Sequence, residues 1–509
     1  MCDFETSYRA MESRDHRFDG HFVVAVTSTG VYCRPSCPSR TPRRENVRFF
    51  RLPAAAEAGG FRACRRCRPD VAPSAPEWNV RGDLTARAVR LIAGGAVDQE
   101  GVTGLARRLA VSQRHLHREL VAELGVGPQA LAISRRAQMA RLLVESGVLP
   151  LADVAFAAGY SSVRQFNEGM RAAFGSSPGD LRRGKVAAGA QSGGHLVLRL
   201  RYRLPLPAGP LLGWLAARAV PGIEEVEGGC YRRTLRLPHG SGRVGVDFGP
   251  VPGGSRQGTA TVRLDLADLR DVTAAVQRCR EVFDLDTDPA MVAEGLVCDP
   301  AMRPLVRARP GLRVPGCADG FELAVRAVLG QHVSLAAARV FGGRLVARFG
   351  EPLDAADRRL THLFPAAEAL AGAELEAIGV TGRRAATLRS LARAAADDGL
   401  VLDRGADREE CMARLLALPG IGPWTAGCIG MRALGDPDAF PSDDLGLVEA
   451  ARYLGIAVDG PGLAAYAQRW RPWRSYGAMH LWESLTTRAA TNSHRQRQPG
   501  KLPAASPAI

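Results

Sequence analysis

The sequence predicts a multidomain chain, mainly α with α+β parts. Three observations carry that expectation. Two close cysteine pairs sit near the N-terminus, Cys33 and Cys37 in VYCRPSC and Cys64 and Cys67 in FRACRRC. Helical periodicity with two helix-turn-helix patterns then runs over about 83–183. From His195 alternating strands mix with helix, and after about Asp288 the pattern is almost entirely helical to about Ala490. A length of 509 residues suits three or more domains, each with its own core.

The first element is the cysteine module. Each pair closes a small turn, and one Zn²⁺ joining the two turns satisfies tetrahedral thiolate coordination. So short a segment has little apolar core, and metal binding would supply much of its folding free energy. Spacing alone leaves a purely structural staple open. The eleven cysteines are odd in number and mostly scattered, which excludes a disulfide framework and favours metal in a reducing cytosol. Cys2 stands outside the constellation as a plain thiol.

The surrounding residues say more. DGHFVVAVTSTGVYCRPSCPSRTPRRENVRFF, followed by GFRACRRCRPD, resembles the methyl-acceptor domain of the Ada family from about Tyr8 to Asp70. The resemblance implies that the zinc-bound Cys33 thiolate takes a methyl group from a DNA methylphosphotriester and keeps it. Zinc would be both structural and nucleophile-activating: four thiolates on one Zn²⁺ leave a charge of about −2, and methylation removes one negative charge. Repulsion toward DNA phosphate then falls and DNA affinity rises. Arg34, Arg40, Arg43, Arg44 and Arg48 suit a phosphate-facing surface, and an ordinary solvated basic face is the alternative.

The second element is a DNA reader. VTGLARRLAVSQRHLHREL gives helix, turn, helix, and LADVAFAAGYSSVRQFNEGMRAAFG gives another such unit with Gly159 at the turn. Each second helix would carry polar residues to base edges: Gln113, Arg114, His115 and His117 in the first, Ser162, Arg164, Gln165 and Asn167 in the second. Phe156, Phe166 and Phe174 are expected in the core. Two units in tandem, ending in AFGSSPGDLRR, resemble the AraC-type DNA-binding domain. The net charge of +15 and pI of about 9.8 point to an anionic polymer as partner.

The third element begins with strands read in LVLRLRYRLPL, RRTLRLP and ATVRLDL and a helix in LLGWLAARAV. The most informative stretch follows, LLALPGIGPWTAGCIGMRAL, in which LPGIG joins two helices. Glycines Gly420 and Gly422 let backbone bend and approach closely, and Pro423 suits a first helical turn. Such a helix-hairpin-helix binds a DNA phosphate through loop N–H groups. With AFPSDDLGLVEAARYLG, RWRPWRSYGAMHLWESL, FELAVRAVLGQHVSLAAAR and PLLGWLAARAV, it resembles the AlkA family of alkylbase DNA glycosylases over roughly His195 to Ala490.

That resemblance implies a catalytic aspartate after the hairpin, on Asp444, with Asp443 one register step away; a helix N-cap is the competing role. It implies an aromatic pocket of Trp424, Trp482 and Trp214 for a flipped cationic base, while Trp470 and Trp473 are expected to pack. His332, after Gly330 and Gln331, stands where the family has an apolar wedge, and Cys428 where it has a tyrosine. No lysine accompanies the hairpin, so a monofunctional glycosylase is expected. The Ada family's C-terminal PCHR methyltransferase is absent, which excludes O6-methylguanine repair.

The expected organisation is a zinc module over 1–75, an AraC-type domain over 80–184, a linker over 185–194, an α+β subdomain over 195–288, a helix-hairpin-helix glycosylase domain over 289–490, and a disordered tail over 491–509. The whole resembles an Ada–AlkA fusion. Alkylated and promoter double-stranded DNA are the expected partners, and RNA polymerase is a candidate. Two reading helices in one chain make a monomer sufficient. No signal peptide or membrane span is seen, which places the chain in the cytoplasm on the nucleoid. Two other readings stay open: a regulator whose glycosylase half only holds DNA, and a glycosylase whose N-terminal half only adds DNA affinity.

Overall fold

The computed structural model describes residues 3–69, 81–183, 196–251, 253–353, 357, 359–397 and 399–497. The expected linker lies outside the described residues, as do residues 498–509. Residues 491–497 continue the last helix, Arg474–Arg497, where a disordered tail was expected.

The N-terminal module is helix α1 (Phe4–Glu12), strands β1 (Val23–Val26), β2 (Val31–Cys33), β3 (Val47–Phe50) and β4 (Arg62–Ala63), and helix α2 (Pro53–Ala58). The sheet order is β3-β1-β2-β4. β2 and β4 run parallel, with Tyr32 opposite Ala63. Parallel pairing brings Cys33, which ends β2, and Cys64, just past β4, to the same sheet end. The fold thus assembles one thiol site from cysteines some thirty positions apart in sequence.

Seven helices follow, α3 (Leu84–Ala93), α4 (Ala96–Arg108), α5 (Gln113–Leu124), α6 (Pro128–Ser146), α7 (Leu151–Ala157), α8 (Val163–Phe174) and α9 (Pro178–Arg183). Gly101, at φ +69°, interrupts α4, so its second part is the first helix of a helix-turn-helix. Ser112 and Ser162 cap α5 and α8 through side-chain bonds to the N–H of His115 and Gln165, and left-handed Gly125 and Gly175 end them. Phe166 and Phe174 are buried, but Phe156 is 50% exposed, against the expectation of a core residue. On α7 the inward face is taken by Val154, Ala155 and Ala157, so Phe156 is turned out between them.

The α+β part is a five-stranded antiparallel sheet of β5 (Leu196–Arg203), β6 (Glu224–Glu227), β7 (Cys230–Leu237), β8 (Gly240–Phe248) and β9 (Gln257–Leu266), ordered β5-β9-β8-β7-β6. It carries α10 (Ala208–Ala216) and α11 (Val272–Val282). The helical remainder includes α12 (Pro289–Val297), α13 (Gly320–Leu329), α14 (Leu335–Phe349), α15 (Gly382–Ala396), α16 (Arg408–Ala417), α17 (Pro423–Arg432), α18 (Leu445–Tyr453), α19 (Gly460–Tyr466) and α20 (Arg474–Arg497). Its apolar side chains form two cores, one around α13, α15, α16 and α17 and one around α12, α18 and α20.

The N-terminal half does not hang from the rest as a separate bead. One core runs without a break from Val23, Ala25, Tyr32 and Phe61, through Leu143, Phe166 and Phe174, to Leu196, Leu198 and Val262 of the sheet. Arginines span the junctions. Arg68 pairs with Glu145 at 2.7 Å, and Arg65 donates to the Gly175 carbonyl at 2.7 Å. Arg87 pairs with Asp407 at 3.1 Å and Arg108 with Asp403 at 2.8 Å. Arg203 of β5 donates to the Asp19 carbonyl at 3.2 Å and lies 3.6 Å from the Asp288 carboxylate. Part of the basic excess is therefore interior glue.

Candidate functional site

The first site is the thiol quartet. The sulfurs of Cys33, Cys37, Cys64 and Cys67 all lie within 4.8 Å of one another. Zinc–sulfur bonds of roughly 2.3 Å can bridge that spacing. Four soft donors, two of them buried and two half-buried, form a site for one Zn²⁺ and fit the expected ion. Hydrogen bonding to Cys37, and then to Cys64 and Cys67, pushes the Cys33 thiol well up. A buried Asp19 shapes the loop between Cys33 and Cys37. Its carboxylate accepts from Ser36 Oγ at 2.6 Å and Ser36 N at 3.2 Å, and lies 3.5 Å from Arg34.

The four sulfurs are not equivalent. Arg34 N donates to Cys67 at 3.4 Å, and Ser39 Oγ lies 3.2 Å from Cys37. Cys64 and Cys67 are buried. Cys33 is half-buried and, among the described residues, takes no hydrogen bond from outside the quartet. Of the flanking arginines, Arg40, Arg43 and Arg48 are exposed. Arg44 is also exposed, pairs with Glu5 and lies over the Tyr8 ring. Arg34 is mostly covered and turned toward Asp19, which removes it from an outward phosphate-facing set.

The second site is the pair of exposed helix faces on α5 and α8. Gln113, Arg114, His117, Ser162, Arg164 and Gln165 are exposed, and His115 and Asn167 half-exposed. Several are held within their own unit: Gln113 donates to Thr103 at 2.8 Å, Arg164 pairs with Glu168 at 2.9 Å, and the Gln165 carboxamide accepts from Ser161 N at 3.1 Å.

The third site is a cleft of about 1150 Å³ lined by Trp214, Arg218, Gln331, His332, Trp424, Cys428, Asp444 and Trp482. Asp444 Oδ2 accepts the Trp424 indole N–H at 2.9 Å, and Oδ1 accepts the Trp482 indole N–H at 2.9 Å. Oδ1 also accepts from Leu447 N at 3.0 Å, so Asp444 caps α18 as well. Three donors fix the carboxylate, and both indoles remain part of the cleft lining. Asp443 also lines the cleft but accepts neither indole; its Oδ1 would lie 2.2 Å from a Cβ placed on Gly460. The hairpin stands at the rim. Gly420 has φ +84°, and a Cβ there would meet Thr387 Oγ1 at 2.0 Å, so glycine is required. Gly422 opens onto empty space. Among the described residues neither N–H has a protein acceptor.

Trp214 departs from the simple aromatic-wall expectation. Arg218 lies 3.8 Å from its ring centroid and Arg432 4.4 Å. Burial, and then repulsion from Arg432, pulls the Arg218 guanidinium down to about 9. Burial pushes the Cys428 thiol up to about 12, which keeps it a neutral wall group. Trp470 and Trp473 are buried among side chains of the second helical core. Sequence reasoning missed Arg218, Arg432 and Asp19. Arg218 was findable, because it stands four residues after Trp214; Arg432 meets Trp214 from a distant helix and left no local signal. It also missed Leu445, 86% exposed immediately after Asp444.

Buried His480, two residues before Trp482, has its imidazole pulled down to about 4 by desolvation. A lowered histidine favours folding above its unfolded value of 6.5, and that contribution is lost as pH falls toward 4. The loss should reach about 3 kcal/mol. Urea unfolding between those pH values should show a steeper decline for wild type than for His480→Leu, and parallel declines would refute the assignment.

Residues 6–70 match the metal binding domain of Ada, 105–184 a helix-turn-helix domain and 197–319 the AlkA N-terminal domain. The "Probable bifunctional transcriptional activator/DNA repair enzyme AlkA" of Mycobacterium tuberculosis is 51% identical over 486 residues, covering 95% of this chain and 97% of that protein. DNA-3-methyladenine glycosylase 2 of Escherichia coli is 36% identical, over 56% of this chain and 95% of its own. The bifunctional transcriptional activator/DNA repair enzyme Ada of Escherichia coli is 38% identical, over 28% of this chain and 38% of its own. A cysteine quartet, paired helix-turn-helix units and an aromatic cleft, in that order and with near full-length likeness, place this chain in the family of bifunctional transcriptional activator/DNA repair AlkA proteins.

Proposed function

We propose that the chain both senses and repairs DNA alkylation: it accepts a methyl group on Cys33, regulates transcription through α5 and α8, and excises alkylated bases of the 3-methyladenine type with Asp444. The observation that carries the excision reading is a carboxylate fixed by two indole N–H groups inside a cleft rimmed by a hairpin. Relatives named as DNA-3-methyladenine glycosylase and as Ada support the two chemistries.

In base excision the C1′–N bond breaks and its electron pair leaves with the base, which for a cationic purine neutralises it. Positive charge develops on the sugar, and the Asp444 carboxylate stabilises it. Water adds at C1′ and gives up a proton. The indole rings of Trp424 and Trp482, which line the cleft, attract the flipped, electron-poor ring. The chain's two lysines, Lys185 and Lys501, lie outside the described residues, so no amine lines the cleft among the described ones. That supports hydrolysis without a Schiff-base step.

In methyl transfer the Cys33 sulfur attacks the methyl carbon of a phosphotriester. The S–C bond forms, the C–O bond breaks, and the phosphate keeps the electrons as a diester anion. A Zn²⁺ held by Cys33, Cys37, Cys64 and Cys67 would keep the thiols deprotonated at neutral pH. Partial exposure and the lack of an outside hydrogen-bond donor favour Cys33 over its three partners. Loss of one negative charge then strengthens promoter binding.

The division of labour follows a zinc module over 1–75, a reader over 80–184 and a glycosylase from 195, with the monomer as working unit. RNA polymerase is the partner at the promoter, and the site of action is the nucleoid. Among the described residues no helix is long and apolar enough to cross a membrane. The competing reading makes the glycosylase half a DNA-holding scaffold.

Two experiments test the proposal. Duplex DNA containing 3-methyladenine should release free base with wild type, while Asp444→Asn should lose at least about a hundredfold in rate with DNA affinity retained. Release at the wild-type rate would remove Asp444 from catalysis, and no release by either protein would favour the scaffold. With methylphosphotriester DNA, wild type should gain one methyl group on Cys33 and then bind promoter DNA more tightly at a given salt concentration, and Cys33→Ala should do neither. Methylation of the Cys33→Ala protein would move the acceptor to another sulfur.

A further inference from the structure

Gln331 sits on the turn that joins α13 to α14, one residue before His332. Its side chain leaves that turn altogether. Nε2 donates to the Gly420 carbonyl at 2.9 Å and to Thr425 Oγ1 at 2.9 Å. Gly420 belongs to the phosphate-binding hairpin loop, and Thr425 is buried in the first turn of α17 beside Trp424. The Gln331 carbonyl in turn accepts from Arg384 of α15 at 2.5 Å. One residue is therefore tied to the hairpin, to the helix that carries Trp424 and to α15.

His332 follows with φ +53°, a left-handed conformation that histidine adopts only under constraint. It is exposed at the cleft. On its far side Ser334 caps α14 through Ala337 N at 3.2 Å. The exposed tip is thus strained and over-determined from both sides, the condition under which such backbone persists at working sites. The bonds that fix it on the Gln331 side run to the loop whose free N–H groups point outward at Gly420 and Gly422.

We propose that Gln331 is a positioning residue that holds the His332 tip at a set offset from the hairpin, so that gripping the strand places the tip in the base stack. The inference rests on the glycosylase reading above. Gln331 touches neither the base nor the sugar; it acts through the loop. Its contribution belongs to extrusion of a stacked base rather than to bond cleavage.

The test compares one lesion, 3-methyladenine, in fully paired duplex and in an unpaired bulge, where extrusion costs little. Gln331→Met keeps length and removes the donor, and Gln331→Glu keeps shape and replaces the donor with an acceptor. Both variants should lose about tenfold or more in single-turnover release from the duplex, and less than about twofold from the bulge. Undamaged duplex should bind within about twofold of wild type, and urea midpoints should stay near wild type. Equal losses on both substrates would assign Gln331 a merely structural role, and wild-type release from duplex would show that the tie is dispensable; either overturns the proposal while leaving the glycosylase reading intact. No release by wild type from either substrate would overturn that reading and the proposal with it.

Discussion

The constraint on which the rest depends is the unbroken core that passes from the small N-terminal sheet, through α6 and α8, into the five-stranded sheet. One face of the small sheet packs with α1 in a compact cluster of Tyr8, Met11, Phe22, Val24 and Val47. The other face joins the long core, where Tyr32 and Phe61 pack with Phe166 and Leu198. Metal coordination closes one end of that sheet and packing closes the other. The same device fixes the geometry of the whole chain, because the arginines at the junctions meet backbone carbonyls and acids that are already placed. Arg203 shows the economy. It reaches the carbonyl of Asp19, whose carboxylate shapes the Cys33–Cys37 loop, and lies beside Asp288, the cap of α12.

The cleft follows a related logic at smaller scale. Asp444 serves as helix cap and as the acceptor for two indoles, so one side chain orients α18, Trp424 and Trp482 together. A carboxylate held by three donors is fixed in place, which suits the proposed excision of a base turned out of the duplex. The stacked guanidiniums on Trp214 add buried positive charge to the wall facing that carboxylate. Trp214 thus lines the cleft with two cations against its ring, whereas Trp424 and Trp482 meet the carboxylate of Asp444.

Much of this was legible in the sequence because it is written locally. Cysteine spacing announces a metal site, and LPGIG followed by proline announces a hairpin before a helix. Strand alternation located β5, β7 and β9 but not β6 or β8. β6 has only four residues, and β8 carries glycines at 240, 242 and 245, which weaken the strand signal. Phe156 misled because hydrophobic type does not fix direction: three smaller neighbours fill the interior and turn the ring outward. Long-range facts left no local trace. Nothing near Gln331 indicates that its amide meets Gly420, 89 positions away. Nothing near Arg203 indicates Asp19, 184 positions away.

The claim that one core unites the zinc module with the repair module is open to a direct measurement. Five of the six tryptophans, Trp214, Trp424, Trp470, Trp473 and Trp482, lie beyond residue 195, so thermal unfolding followed by tryptophan fluorescence reports mainly on the part of the chain that holds the cleft. Stripping zinc with a chelator, or substituting Cys64→Ser, should lower the tryptophan midpoint by several degrees, because loss of the thiol site loosens the core that the sheet shares. A midpoint unchanged by zinc removal would mean that the two halves fold independently, and would contradict the account.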